Sequence, residues 1–209
     1  MSTRTLAVIS AGLSTPSSTR LLADRLTAAT VAALGERGDD VTVEVVELRE
    51  HARDLADRLL TGFPDAALRG ALETVSGADA VIAVTPVFAA SYSGLFKTFV
   101  DVLEPGSLAG TPVLLAATAG SARHSLVLEH AMRPLFAHLR ALTVPTAVFA
   151  AAEDWAGGDG ATRALSDRVR RAAGELASLV AGRPAAAAGP RLEGPFGGTP
   201  SFEELLRGS

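Results

Sequence analysis

The chain has 209 residues, 48% of them hydrophobic, which is ample for one sizeable core and little more. Its formal net charge of −4, with acids and bases interspersed, leaves no basic stripe or arm of the kind a nucleic-acid binder carries. The absence of cysteine excludes disulfides, thiol nucleophiles, Cys-ligated zinc and iron–sulfur clusters.

Short apolar runs alternate along the chain with longer amphipathic segments. Thr5–Ser10 reads as a strand; it is too short for a signal-peptide core or a membrane span, so a cytoplasmic protein without membrane contact is expected. A helix follows over about 18–34, with Leu21, Leu22, Leu26, Ala29, Val31 and Ala33 at roughly helical spacing and Gly35 and Gly38 ending it. Val41–Leu48 alternates apolar and polar residues, as a strand near a sheet edge does. Helices are predicted at Ala52–Leu60 and Asp65–Val75, then a solidly apolar strand at Ala80–Thr85, as a strand covered on both faces should be. Helix Ser93–Leu103, strand Pro112–Ala117, helix Ser125–Leu142, strand Ala147–Ala150 and helix Gly160–Val180 complete the series. Five strands alternating with helices imply a parallel sheet covered on both faces, the doubly wound α/β class. Residues 1–182 form that domain. Residues 183–209 form a Pro/Gly/Ala-rich linker and a short C-terminal segment, where Phe202, Leu205 and Leu206 stand at helical spacing.

In an open parallel sheet, ligands bind beyond the carboxyl ends of the strands. Three loops lie there: Ser10–Arg20, Thr85–Ser93 and Thr118–Ser125. The first carries six hydroxylic residues in eleven, opens a helix, and has no acid before Asp24. A helix cap needs one or two hydroxyls. Six, at the free N–H groups of a helix start, suit a phosphate monoester. Neither G-x-G-x-x-G nor G-x-x-x-x-G-K-[ST] is present, which disfavours a dehydrogenase-type dinucleotide fold and a P-loop. The second loop combines small residues with Phe88 and Tyr92, and suits a flat ring that must leave room for another; ordinary packing explains either aromatic taken alone. Lys97 and Asp101, four apart, read as a surface pair. In the third loop Gly120 permits close backbone approach.

Thr85-Pro86-Val87-Phe88, Ser91-Tyr92-Ser93-Gly94, Lys97 and Asp101 resemble the T-P-x-Y-x-x-x-x-S-G-x-x-K-x-x-x-D signature of NAD(P)H-dependent FMN reductases. The Pro16–Thr19 region resembles that family's phosphate loop, Thr118-Ala119-Gly120 its Thr-Gly-Gly flavin loop, and Leu128–Leu139 the helix after it. The resemblance spans roughly Thr5–Val180. It implies a flavodoxin-like fold with strand order 2-1-3-4-5, FMN and NADPH or NADH as cofactors, and a homodimer or homotetramer. It also implies a flavin-dependent monooxygenase, luciferase-like or sulfonate-type, as recipient of reduced FMN. Carried across, Ser17, Ser18 and Thr19 would contact the phosphate, with Ser10 and Ser91 also among the cofactor-binding residues. Pro86, Val87 and Phe88 would meet the isoalloxazine, and Thr118, Ala119 and Gly120 its other edge. Ala11-Gly12-Leu13-Ser14 replaces the common Gly-Ser-x-Arg, so a phosphate-neutralising Arg is missing there; Arg20 either replaces it or covers the helix.

No catalytic side chain is expected, because hydride passes between the cofactors. His51, His124, His130 and His138 lack metal-like spacing, and no metal site is expected. The adjacent Glu153 and Asp154 beside Trp155 read as a solvated loop. Three readings compete with the FMN reductase. They are a quinone or azo-dye reductase with bound FMN, a non-enzymatic flavodoxin-like electron carrier, and an interaction protein that lost the ligand.

Overall fold

A computed structural model describes residues 3–156 and 158–183. The C-terminal segment, with Phe202, Leu205 and Leu206, lies outside the described residues. Strand β1 (Thr3–Ser10) leads through helix α1 (Ser18–Gly35) to the edge strand β2 (Asp40–Glu47). Helices α2 (Ala52–Thr61) and α3 (Ala66–Gly77) precede β3 (Ala80–Phe88), which turns into the two-residue β4 (Ser91–Tyr92). Then come α4 (Gly94–Asp101), β5 (Pro112–Ala119), α5 (Arg133–His138), β6 (Leu142–Thr143), β7 (Val148–Ala151), α6 (Ala152–Ala156) and α7 (Gly158–Ala181).

The sheet runs β2-β1-β3-β5-β6, with β7 also beside β5, and all of these pairings are parallel. With β6 and β7 as two halves of one position, this is the flavodoxin-like order 2-1-3-4-5. Seven strands replace the expected five for two local reasons. The last strand is interrupted at Pro145, which has no N–H to give to β5, so Leu142–Thr143 pairs with Pro112–Val113 and the chain rejoins the sheet at Val148. The other addition is β4, which folds back on β3 in an antiparallel hairpin, Val87 opposite Tyr92 and Phe88 opposite Ser91.

Alternation along the strands supplies both cores. Ala7, Ile9, Val81, Ala83, Val113 and Leu115 face Leu55, Leu68, Val75, Phe96, Phe99 and Phe136 on one side. Leu6, Val8, Ile82, Val84 and Leu114 face Leu22, Leu26, Leu165, Val169 and Leu176 of α1 and α7 on the other. The predicted helix Ser125–Leu142 is instead broken. A π-helical turn spans Leu128–Met132, where Arg133 N–H donates to Leu128 C=O, and regular helix resumes with Pro134 in the first turn of α5. Pro134 cannot close an α-helical bond to the preceding turn, and the wider π turn accommodates that loss. Arg133 then donates to Thr143 Oγ1 at 2.9 Å, Val144 C=O at 3.1 Å and Pro145 C=O at 3.1 Å, fixing the strand break against this helix.

Candidate functional site

The three strand-end loops converge. An open cleft of about 370 Å³ at the carboxyl edge of the sheet is lined by Leu13, Ser14, Ser17, Ser18, Thr19, Pro86, Val87, Phe88, Thr118, Ala119 and Gly120. Of the residues expected at the cofactor, Ser17, Ser18, Thr19, Pro86, Val87, Phe88, Thr118, Ala119 and Gly120 are thus brought to one place. Ser10 and Ser91 are not in that lining. Ser10 lies fully buried beneath the loop, its hydroxyl without a hydrogen-bond partner among the described residues, and Ser91 is half-buried in the hairpin.

The hydroxyls of the first loop have different duties. Ser17 Oγ caps α1, accepting from Arg20 N–H at 3.2 Å. Ser14 Oγ donates to Pro16 C=O at 2.9 Å, which fixes the loop against itself. Thr19 is buried, and its Oγ1 lies 2.8 Å from Thr118 Oγ1 in a hydrogen bond that ties the first loop to the third. The N–H groups of Ser18 and Thr19 have no acceptor among the described residues, and the Ser18 side chain is exposed. The cradle therefore offers two unclaimed backbone donors, one free hydroxyl and the positive end of an 18-residue helix. Gly12 makes this close packing possible. A Cβ there would collide with Ser17 Oγ and stand 3.1 Å from Ser17 Cβ and 3.2 Å from Thr19 Cβ.

In the second loop Thr85 Oγ1 accepts from Ser93 N–H at 3.0 Å and donates to Pro86 C=O at 3.0 Å, anchoring both ends of the hairpin. Ala89 and Ala90 turn it with φ of 47° and 66°. This is left-handed backbone that Asn or Gly adopts more readily. The hairpin presents Phe88 at the cleft with 48% of its surface exposed. Ordinary packing therefore accounts for Tyr92, whose ring centroid lies 5.9 Å from that of Phe96, but not for Phe88. Lys97 Nζ donates to Asp101 Oδ2 at 2.7 Å, a surface pair as its spacing predicts.

Residues 4–156 match the family described as NADPH-dependent FMN reductase. The chain belongs to that family. A curated relative, "FMN reductase (NADPH)" of Pseudomonas aeruginosa, is 36% identical over 177 residues, covering 84% of this chain and 91% of that protein. "NADH-dependent FMN reductase SfnE" of Pseudomonas putida is 40% identical over 167 residues, covering 79% and 86%. A solved oxidoreductase from Corynebacterium diphtheriae superposes with a TM-score of 0.84 at 49% identity, covering 87% of this chain and 99% of that one. The chain is accordingly an oxidoreductase of flavodoxin-like fold that works with FMN and a nicotinamide nucleotide.

Two features of this FMN reductase escaped sequence reading. Arg20, the candidate replacement for the missing loop cation, is engaged elsewhere. It is ion-paired with Glu47 and donates to Asp24 at 2.7 Å, and these hydrogen bonds, Glu47 first, raise its guanidinium above the ordinary value. Its position quenches Glu47, an acid at the end of β2 directly beside Ser10 in the sheet. The cation at the loop is Arg49, in the 3-10 turn after β2, whose Nη1 donates to Thr15 Oγ1. No carboxylate of the described residues lies within ion-pair distance of Arg49. Asp154, expected in a solvated loop, belongs to α6. Its carboxylate accepts from Ala151 N–H at 2.8 Å and from Arg168 Nη2 at 2.8 Å.

Proposed function

We propose that the cleft seats FMN with its phosphate on the Ser17–Thr19 turn and its ring between Pro86–Phe88 and Thr118–Gly120, where NAD(P)H reduces it. The reduced flavin then leaves for a partner monooxygenase. The observation that carries this reading is the convergence of a donor cradle without acidic residues and an exposed aromatic hairpin on one open cleft. The donor set fits a phosphate dianion: free N–H groups at a helix start and Ser18 Oγ, with the Arg49 guanidinium bonded to Thr15 of the same loop. Bound FMN supplies the redox chemistry, accepting hydride from the nicotinamide. The chain's own tasks are holding and shaping. Gly12 lets the cradle close, the Thr19–Thr118 bond sets its distance from the third loop, and Phe88 offers an apolar face with room above it. A ring bordered by an open cleft and an exposed side chain suits a flavin that exchanges, as delivery to a second enzyme requires.

Flavin-free protein mixed with FMN and NADPH or NADH tests the first step. Loss of absorbance at 340 nm that needs both protein and FMN is the expected result, and its absence returns the chain to the electron-carrier or ligand-free readings. Delivery is tested by coupling to a flavin-dependent monooxygenase across a dialysis membrane, where substrate oxidation shows free transfer. The exposed Leu59, Leu60 and Phe63 at the end of α2, two of them 86% and 79% accessible, together with Leu126 favour a homodimer or homotetramer. A monomer mass by light scattering rejects it. A cytoplasmic setting fits the proposed use of NAD(P)H; among the described residues no helix is long and apolar enough to cross a membrane.

A further inference from the structure

A second cleft, of about 600 Å³, opens at the carboxyl edge beside the phosphate cradle. It shares Ser17, Ser18, Ala119 and Gly120 with the first, and the rest of its wall is apolar: Pro16, Leu21, Ala152 and Trp155. Leu21 is 44% exposed there, and Trp155 is half-buried. One turn further along α1, outside the cleft wall, the Arg25 guanidinium lies 4.7 Å from the Trp155 ring centroid. Positions 21 and 25 share a face of α1, so a segment lying along that face meets leucine and then arginine. No carboxylate of the described residues lies within ion-pair distance of Arg25.

The residues beyond 183 contain a segment of matching chemistry. Phe202, Leu205 and Leu206 stand at helical spacing with Glu203 and Glu204 between them, and Ser201 with Glu204 makes the Ser-x-x-Glu pattern of a helix start. A helix of so few residues is not stable alone in water and needs a surface for its apolar side. The layout of the chain favours the second cleft as that surface. Helix α7, from which the segment departs, packs with α1 and Trp155 on one face of the sheet, whereas Leu55 of α2 packs on the other, away from this layer. From Arg183, whose C=O is held by Arg4 at the amino edge, the way back to α6 is the length of α7, about 36 Å. Residues 184–200 extend to about 55–60 Å, which covers that distance with slack. So short a tether keeps the segment at about millimolar effective concentration, ahead of the same segment on other molecules. We infer that the second cleft seats Phe202, Leu205 and Leu206 of this same chain, with Glu203 or Glu204 on Arg25, as a cover over the phosphate side of the first cleft. The covering role rests on the flavin reading of the first cleft; the seating does not.

Trp155 is the single tryptophan, so its fluorescence reports on this cleft alone. Replacing Phe202, Leu205 and Leu206 together by Ser in the full chain touches neither core of the described residues. The expected results are a red-shifted emission, quenching by acrylamide that rises at least about twofold, and FMN release at least about threefold faster in stopped flow. Arg25→Glu also raises the quenching, and adding Glu203→Arg with Glu204→Arg restores protection by reversing both sides of the pair. The inference is overturned if the triple variant keeps wild-type quenching, if the reversed pair restores nothing, or if FMN release is unaltered. Protection that grows with protein concentration also overturns it, by assigning the segment to a second copy. Failure of wild-type protein to bind FMN is a different result: it strikes the flavin reading of the first cleft, and the quenching and charge-reversal results still decide the seating.

Discussion

The two ends of the parallel sheet handle polarity in opposite ways. At the amino edge Arg4 is buried at the start of β1, its Nε 3.5 Å from Asp39 and its Nη1 3.6 Å from Asp79. Its Nη2 donates to Arg183 C=O at 2.8 Å, and Asp79 Oδ2 accepts from Thr5 N–H at 2.8 Å. Full charges are buried there, and they face one another. At the carboxyl edge the buried polar groups are the neutral hydroxyls of Ser10, Thr19, Thr85, Ser93 and Thr118. A buried charge has to be answered from within the fold, so the amino edge is closed to other partners. Neutral donors leave the carboxyl edge able to receive a charge from outside.

The comparison breaks most easily at its charged end. Replacing Arg4 with Met removes the buried cation that both acids face, and an unfolding free-energy loss of about 3–5 kcal/mol is expected by denaturant titration. FMN affinity of the remaining folded protein should be unchanged; a parallel loss would show that the two ends are coupled. Gly12→Ala is the mirror experiment. The added methyl pushes Ser17 off the helix start, and the expectation is at least a tenfold rise in the FMN dissociation constant for about 1–3 kcal/mol of stability. Arg49→Ala sharpens the claim that the cradle's charge comes from beyond β2. FMN should weaken by about fivefold to tenfold, and riboflavin, lacking the phosphate, should not respond.

Smaller effects are expected away from both ends. Ala89→Asn with Ala90→Gly relieves two left-handed alanines and should raise stability by about 1 kcal/mol, seen as a higher denaturation midpoint. Glu129 gives the least. Its hydrogen bonds to Arg133 hold the carboxyl below its ordinary pKa, against a smaller opposing effect of burial. A folded-state value below the unfolded one makes the contribution present above the usual carboxylate range and lost as pH falls through the depressed value. Because the carboxylate is half exposed, Glu129→Gln should cost less than about 0.5 kcal/mol near neutral pH, and the difference should vanish in acid.

Much of this was legible in the chain itself. Apolar runs such as Ala80–Thr85 are buried on both faces, so they declared a parallel sheet, and with it the edge where the three loops had to meet. The β3–β4 hairpin was hidden because its turn is Ala89-Ala90, small residues without the Asn or Gly that normally announces one. Leu142 was read into a helix because it continues the spacing of Leu135 and Leu139, and only contact with Pro112 assigns it to the sheet. Arg49 stands 34 residues from Thr15, and Thr19 stands 99 from Thr118; local pattern carries no signal for either pairing. Asp154 was missed for a related reason, since its partner Arg168 lies in the next helix.

The Thr19–Thr118 bond bears on any attempt to move this site elsewhere. A designer who grafts residues 10–20 onto another scaffold of the same topology transplants half of a matched pair, burying a threonine hydroxyl opposite whatever the host carries at the end of its fourth strand position. The transferable unit is the segment plus that distant threonine, and a host offering valine there would receive a loop of correct sequence seated at the wrong height.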